Sequence, residues 1–178
     1  MKSKNADRAT DNLFRIMTNN HHQLSALADQ KASMIITVCS IIIGLVVQYI
    51  IDPALQYGAT ALALTCLVTI LLAVYSTLPK YTSKREGAMK AKNPSFNVIF
   101  FGDFTHLDYP DFERELEKVI NDHDLVYESL AKDVYSLGRV LNDKKYRFIR
   151  YAYLTFMIGL VVGGIILAFT AKSGSPPQ

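Results

Sequence analysis

Three long uncharged stretches constrain this chain more than any other feature. They cover residues 33–51, 54–78 and 151–171, and none of them contains Lys, Arg, Glu or His. A helix needs about 20 residues, each rising about 1.5 Å, to cross a hydrocarbon core about 30 Å thick. A soluble helix that is apolar all round must be buried in a large core, and 178 residues are too few to bury three of them. The pattern therefore predicts three transmembrane helices.

The basic residues flank these stretches unevenly. Five Lys or Arg residues precede the first stretch, and 13 lie between the second and the third. The short connection between the first two stretches has none, and only Lys172 follows the third. Because basic residues are retained on the cytoplasmic side, we expect a cytoplasmic N-terminus and an external C-terminus.

Charge and hydropathy together divide the chain into six segments. The predicted segments are a cytoplasmic N-terminal helix (1–32), three transmembrane helices (33–51, 54–78 and 151–171), a cytoplasmic block (79–150) and a short external tail (172–178). A block of about 70 residues has a marginal core by itself. We therefore expect an all-α membrane protein in which the N-terminal helix packs on this block to form one small, mainly helical cytoplasmic domain.

The polar segments carry local patterns of their own. Residues 6–31 place apolar side chains at helical spacing and predict an amphipathic helix that continues into the first span. Residues 96–104 are aromatic and β-branched and predict a short strand or an extended segment, and a lone strand there must pack on neighbours. Asp108 is predicted to cap a short helix, and 123–150 to form a helix that continues into the third span.

Composition and motif content argue against several classes of function. The net charge is only +3, so we expect no nucleic-acid partner. The sequence has no Gly-rich phosphate loop, paired-Cys metal motif, HExxH or GxSxG, and its four histidines lack metal-ligand spacing. We therefore expect no catalytic residue and no metal. Cys39 and Cys66 lie inside predicted spans and are expected to be small buried hydrophobic residues. No ionisable residue lies mid-span, which argues against proton relays, ion pumps and transporters of charged substrates.

Small and weakly polar residues follow one face of each predicted span. Such faces let membrane helices approach closely and hydrogen-bond. They serve either packing within one chain or an oligomer seam or pore lining. The face consists of Thr65, Thr69 and Ser76 in span two. The predicted oligomer or pore face consists of Thr37, Ser40, Gly44 and Gln48 in span one and Thr155, Gly159 and Gly163 in span three.

Basic residues near the predicted membrane surface are candidates to bind a phosphate. Their alternative role is to fix topology and contact lipid headgroups. The candidates are Lys31, Lys84, Arg85, Arg139, Lys144, Lys145 and Arg147.

Three segments together resemble a known family. They are NHHQLSALADQKASMIITVCSIII (20–43), NVIFFGDF (97–104) and KDVYSLGRVLNDKKYRFIRYAYLTFMIGL (132–160). In order and spacing they resemble the transmembrane effectors of Pycsar antiphage defence (PycTM type), and the resemblance covers nearly the whole chain.

The resemblance implies a two-component switch. A partner pyrimidine cyclase makes cUMP or cCMP on phage infection. The effector senses that cyclic nucleotide, with cUMP the first choice, and impairs the bacterial inner membrane to cause abortive infection. It implies a homo-oligomer and no cofactor other than the ligand. Some relatives carry an HD-type phosphohydrolase domain that these residues do not contain, so the resemblance implies no enzyme activity.

The polar positions that match the family define a candidate ligand site. A helix cap or a buried ion pair would explain several of them equally well, and a structural role near the membrane surface is favoured for Asp29 and Lys31. The predicted ligand residues are His22, Lys31, Asn97, Asp103, Arg139 and Lys145, with Asp29 and Asp133 matching as well. Two other functions stay open, a membrane anchor or scaffold for a partner protein and a constitutive small channel or toxin without nucleotide sensing.

Overall fold

The computed structural model describes residues 8–78 and 96–173, and the regular structure of these residues is entirely helical. Three helical stretches are long and apolar enough to cross a membrane, namely Arg8–Ile50, Gln56–Thr77 and His123–Thr170. The prediction of an all-α membrane protein with three transmembrane helices is therefore confirmed. The elements are α1 (Arg8–Val46), a 3-10 helix (Val47–Ile50), α2 (Gln56–Thr77), α3 (Phe101–Phe104), α4 (Tyr109–Ile120), α5 (His123–Val140), a π-helical segment (Leu141–Tyr146) and α6 (Arg147–Ser173).

The chain folds into two compact units. The polar unit contains the described residues 8–24 and 96–141, and the membrane unit contains 25–78 and 142–173. Helix α1 contributes to both units without interruption. The second boundary falls at the first residue of the π-helical segment that joins α5 to α6. The N-terminal helix and the helix after residue 123 therefore continue into spans one and three, as the sequence predicts.

The polar unit has a small core between α1 and α5. Phe14 and Tyr127 are 7% and 5% exposed, and their ring centroids lie 6.1 Å apart. Val134 completes the buried cluster. The Tyr127 hydroxyl donates a hydrogen bond of 2.9 Å to the Asp11 carboxylate, which also holds the pKa of Tyr127 above its ordinary value. The start of α1 is therefore tied to α5 by both apolar and polar contacts.

The prediction of a strand at residues 96–104 is wrong, since this segment forms a turn followed by α3. The Asn97 side chain accepts from the Ile99 backbone N–H at 3.2 Å and donates to the Ser129 carbonyl at 2.8 Å. The Asn97 backbone N–H donates to the Asp103 carboxylate at 3.1 Å. The turn itself therefore satisfies the backbone N–H groups of Asn97 and Ile99, which a strand would leave for a neighbouring strand. The bond to Ser129 ties the turn to α5.

The two other helices of the polar unit begin after aspartates. Asp108 is at the predicted N-cap position of α4, with Pro110 in the first turn, but its side chain does not make the expected capping hydrogen bond. Asp122 does cap α5, because its carboxylate accepts from the backbone N–H groups of Asp124 and Leu125. An N-cap of this kind satisfies donors that the first helical turn otherwise leaves open.

The membrane unit has a core made largely of small side chains. They lie on one face of α1 and on the facing sides of α2 and α6, and they include the two cysteines, both free and buried. Cys39 and Cys66 are thus small buried residues, as the sequence predicts. The buried members are Ala28, Ala32, Ile35, Cys39, Cys66, Ala73, Ile149 and Ala152.

Helices α2 and α6 approach closely because glycines remove side chains from their contact. A Cβ atom at Gly159 would overlap Thr65 Cγ2 and lie 2.5 Å from Thr65 Cβ. One at Gly163 would lie 2.5 Å from Leu62 Cγ, and one at Gly58 of α2 would lie 2.9 Å from the Leu167 backbone nitrogen. Thr65 cannot turn aside freely, because it is β-branched and donates to the Ala61 carbonyl at 2.7 Å.

We expect Gly159→Ala to destabilise the protein by about 1–3 kcal/mol, the usual cost of overpacking a close contact. Gly164→Ala is the matched control on the same helix, since a Cβ atom at Gly164 would have nothing within 4 Å. Thermal unfolding of both variants in detergent, followed by circular dichroism, measures the difference. Equal midpoints for the two variants would show that the α2–α6 contact does not depend on this glycine.

Candidate functional site

The predicted ligand residues are divided between the two units. His22, Asn97, Asp103 and Arg139 belong to the polar unit, and Lys31 and Lys145 belong to the membrane unit. Lys84 and Arg85, two of the predicted phosphate-binding candidates, lie outside the described residues.

Asn97 and Asp103 are used in building the turn before α3. Asn97 is 3% exposed, and both its side chain and its backbone N–H form hydrogen bonds within the unit. Asp103 accepts one of these bonds. The turn therefore accounts for both residues without a ligand, and their predicted contact with a nucleotide stays a prediction.

Lys145 is held by a carboxylate at the start of the membrane unit. Its ammonium nitrogen lies 2.8 and 2.7 Å from the two Asp29 carboxylate oxygens and 2.8 Å from the Ser25 hydroxyl. The Lys145 side chain is only 21% exposed. Two positions that the sequence singled out separately, Asp29 and Lys145, thus form one ion pair between α1 and the π-helical segment.

The polar unit brings two histidines and a carboxylate together where α1 meets α5. His21 donates from Nδ1 to the Met17 carbonyl at 2.8 Å, and its Nε2 lies 3.0 Å from where a Gly138 Cβ would be. Burial raises the pKa of Asp133 above its ordinary value, and the nearby His22 and His21 offset part of that rise. Arg139 is the next residue of α5 after Gly138 and is exposed.

This α1–α5 cluster, comprising His21, His22 and Asp133, has the chemistry to recognise the polar groups of a small ligand, and Arg139 lies on α5 of the same unit. Arginine supplies a charge-assisted donor for phosphate oxygens. Imidazole and carboxylate groups supply donors and acceptors for the rest of a ligand. The sequence singled out His22, Asp133 and Arg139, but it missed His21, whose contact with α5 depends on the absence of a side chain at position 138.

Basic and aromatic residues surround the beginning of α6. Lys144 donates to the Leu78 carbonyl at the end of α2 and lies 5.5 Å from the ring centroid of Tyr75. Arg147 donates to the Tyr151 hydroxyl at 3.4 Å, with its guanidinium 5.8 Å from that ring centroid. These two cations are therefore engaged by neighbouring helix ends and rings. Arg150, which sequence reasoning did not single out as a binding residue, lines two grooves beside them.

The predicted oligomer or pore residues occupy two different environments. In span one they are all exposed, the Thr37 and Ser40 hydroxyls donate to carbonyls one turn back, and nothing lies within 4 Å of a Gly44 Cβ. In span three, Gly159 and Gly163 are buried against α2. The GxxxG pair therefore serves packing within the chain, whereas the stripe Thr37, Ser40, Gly44 and Gln48 stays open on the surface of one chain.

Among residues 8–78 and 96–173, no three His, Cys, Asp or Glu side chains lie close enough together to hold a metal ion.

One comparison with known proteins is informative. The sequence model of the Pycsar effector protein domain (PycTM) matches residues 12–171, which include most of the described residues of both units. Neither a curated protein nor a solved structure matches the chain.

We expect the Asp29–Lys145 pair to show coupling in a double-mutant cycle with Asp29→Asn and Lys145→Gln. The coupling should be roughly 0.5–1 kcal/mol, since Asp29 is 48% exposed and water screens part of the attraction. Thermal unfolding of the four proteins at low and high salt measures it. The exposed pair Glu128–Lys132, with a 2.8 Å contact, is the matched control and should show a smaller, more salt-sensitive coupling. Strict additivity at Asp29 and Lys145 would contradict the ion pair.

We expect Asp133 to lower the stability of the protein as the pH rises. Its pKa is raised on folding by burial, so the folded state binds more protons than the unfolded state between the two pKa values. This stabilising contribution is complete below the unfolded value of about 4 and is lost as the pH rises through the folded pKa. The Asp133→Asn side chain cannot ionise. The unfolding midpoint of this variant should therefore rise relative to that of the native protein as the pH increases through this window. A midpoint difference that does not change with pH would contradict this account.

Proposed function

The chain is a member of the Pycsar effector family, and from that premise we propose that it senses a cyclic pyrimidine mononucleotide, cUMP or cCMP, and then impairs the inner membrane. Membership makes it a transmembrane effector of an antiphage system, of a family without catalytic activity. The cyclic nucleotide would come from a partner pyrimidine cyclase. The outcome would be abortive infection, in which the cell stops growing before phage spread.

The polar unit is the proposed sensor. A 3′,5′-cyclic phosphate carries one negative charge on a small nucleotide, and one or two basic residues with a few polar groups suffice to bind it. The α1–α5 cluster would supply polar groups for the base or ribose, His22 among them, and Arg139 on α5 of the same unit is the candidate for the phosphate. Burial raises the pKa of Asp133 in this cluster. A ligand bound there would therefore change the surroundings of a titratable group.

The observation that carries the proposal is the continuity of two helices. Helix α1 contributes to both units without a break, and α5 runs through the π-helical segment into α6. The same helices that carry the α1–α5 cluster therefore continue as spans one and three. Conversion of the π-helical segment to α-helix would change the helical register after Tyr146, and such segments are frequent at functional sites. A ligand shifts this equilibrium only if it binds one arrangement better than the other.

Membrane impairment is proposed to follow from association of several copies. The stripe of Thr37, Ser40, Gly44 and Gln48 on span one is exposed and weakly polar, which suits contact between membrane helices or a wetted pore wall. The charge asymmetry of the chain supports a cytoplasmic N-terminus and an external C-terminus. That topology would place the sensor on the side of the inner membrane where the cyclase product is made.

We expect calorimetry of the detergent-solubilised chain to detect cUMP or cCMP binding, and Arg139→Gln to weaken it by about tenfold or more, the loss of one charge-assisted hydrogen bond. Arg114→Gln is the matched control, because Arg114 belongs to the same unit, is exposed and pairs with Asp111 at 2.7 Å. The control should bind as the native chain does. If neither nucleotide gave a binding heat with correctly folded native protein, the proposal that this chain senses the ligand would be contradicted.

Co-expression with a cUMP-producing cyclase, while membrane potential is recorded, tests the output. Depolarisation only when both proteins are present supports the switch. Depolarisation without the cyclase would support a constitutive channel or toxin, and no depolarisation with either would favour a membrane anchor or scaffold.

A further inference from the structure

A groove between α1 and the start of α6 combines positive charge with apolar surface. Its volume is about 430 Å³, and it lies entirely within the membrane unit. Lys31 and Arg150 line its polar end, and Ile149, Leu154 and Met157 line its apolar part. Among the residues that the structure describes, no acidic residue lines it.

The two cations of this groove are not neutralised by the parts of the protein that the structure describes. Lys31 and Arg150 are both exposed, and within residues 8–78 and 96–173 neither side chain has a hydrogen-bond acceptor or a carboxylate partner. Lys145, in contrast, is paired with Asp29, with 2.7 Å between its ammonium nitrogen and a carboxylate oxygen. The groove therefore keeps two positive charges available for an external anion.

A hydrogen bond joins the two walls of the groove. The Tyr153 hydroxyl donates to the backbone carbonyl of Lys31 at 3.3 Å, which ties α6 to α1 at the polar end. Tyrosine is enriched where a membrane helix meets the headgroup layer. Below it, Leu154 and Met157 are 39% and 54% exposed and belong to the apolar part of α6 that spans the membrane.

We propose that this groove binds an anionic phospholipid, with the lipid phosphate between Lys31 and Arg150 and an acyl chain along Leu154 and Met157. Basic pockets between transmembrane helices bind anionic headgroups in this way. A lipid fits better than a free phosphate, because the apolar wall continues into the spanning part of α6 and would stay uncovered beneath a small anion. The proposal does not depend on nucleotide sensing.

The test is native mass spectrometry of the full chain in detergent, titrated with phosphatidylglycerol or phosphatidylcholine. The native chain should prefer phosphatidylglycerol. The double variant Lys31→Gln with Arg150→Gln should lose about thirtyfold in affinity for it, since each basic residue near an anionic headgroup contributes about fivefold. Affinity for phosphatidylcholine should not change. The charge-matched control, Arg114→Gln with Lys118→Gln in α4, should behave as the native chain.

Two further arms separate the lipid from other phosphates. Glycerol 3-phosphate, which has the charge without the acyl chains, should bind far more weakly than phosphatidylglycerol. Equal binding of glycerol 3-phosphate would show that the groove is a site for a soluble phosphate and would overturn the lipid proposal. Displacement of the lipid by cUMP, together with loss of cUMP binding in the double variant, would overturn it in the same way. Equal binding of the two lipids would overturn it as well. The single variants Arg150→Gln and Arg150→Lys give the same test if the double variant unfolds, with Arg150→Lys expected to retain most of the preference.

Discussion

The close contact between α2 and α6 is the constraint on which the membrane unit depends. Glycines at positions 58, 159 and 163 leave no room for even one more carbon atom at the contact. Lipid tails are as apolar as the side chains, so hydrophobic burial does little to hold membrane helices together, and dense packing must do so. Because α6 is fixed against α2, the beginning of α6 is fixed as well, and with it the positions of Arg147 and Arg150.

The sequence predicted the elements whose physics is local. Three apolar stretches of sufficient length specify transmembrane helices, and the helical spacing of 6–31 correctly predicted a helix that continues into the first span. The strand at 96–104 was wrong because β-branched and aromatic composition does not reveal a hydrogen bond between Asn97 and a residue 32 positions away. The role of Gly159 and Gly163 was left open for a related reason. A helix face of small residues does not reveal whether a helix of the same chain or of another chain packs on it.

The candidate site was predicted less completely than the fold. The family resemblance marked Asp29 and Lys145 separately, and only the folded chain joins them into one ion pair. It marked Asn97 and Asp103, which the turn before α3 uses for its own hydrogen bonds. His21 and Arg150 were missed because their surroundings arise from residues distant in sequence. Matched polar positions in a small membrane protein thus divide into groups that hold the structure and groups that face outward, and only the second kind are free to meet a ligand.

The energetics of a nucleotide switch favour association of several chains. Moving a two-state equilibrium from 1:99 to 99:1 requires a ligand to prefer one state by about 5.5 kcal/mol. A cyclic mononucleotide has one charged phosphate, and each charge-assisted hydrogen bond contributes about 1.5–3 kcal/mol. Only the part of that energy that differs between the two states shifts the equilibrium. If the proposed sensing rests on one or two such bonds, one nucleotide on one chain would be barely sufficient, whereas several nucleotides acting on an assembly joined through the span-one stripes would sum their differences. Under the proposed function, the exposed stripe and the small ligand would lead to the same requirement, which is that the membrane response belongs to an oligomer.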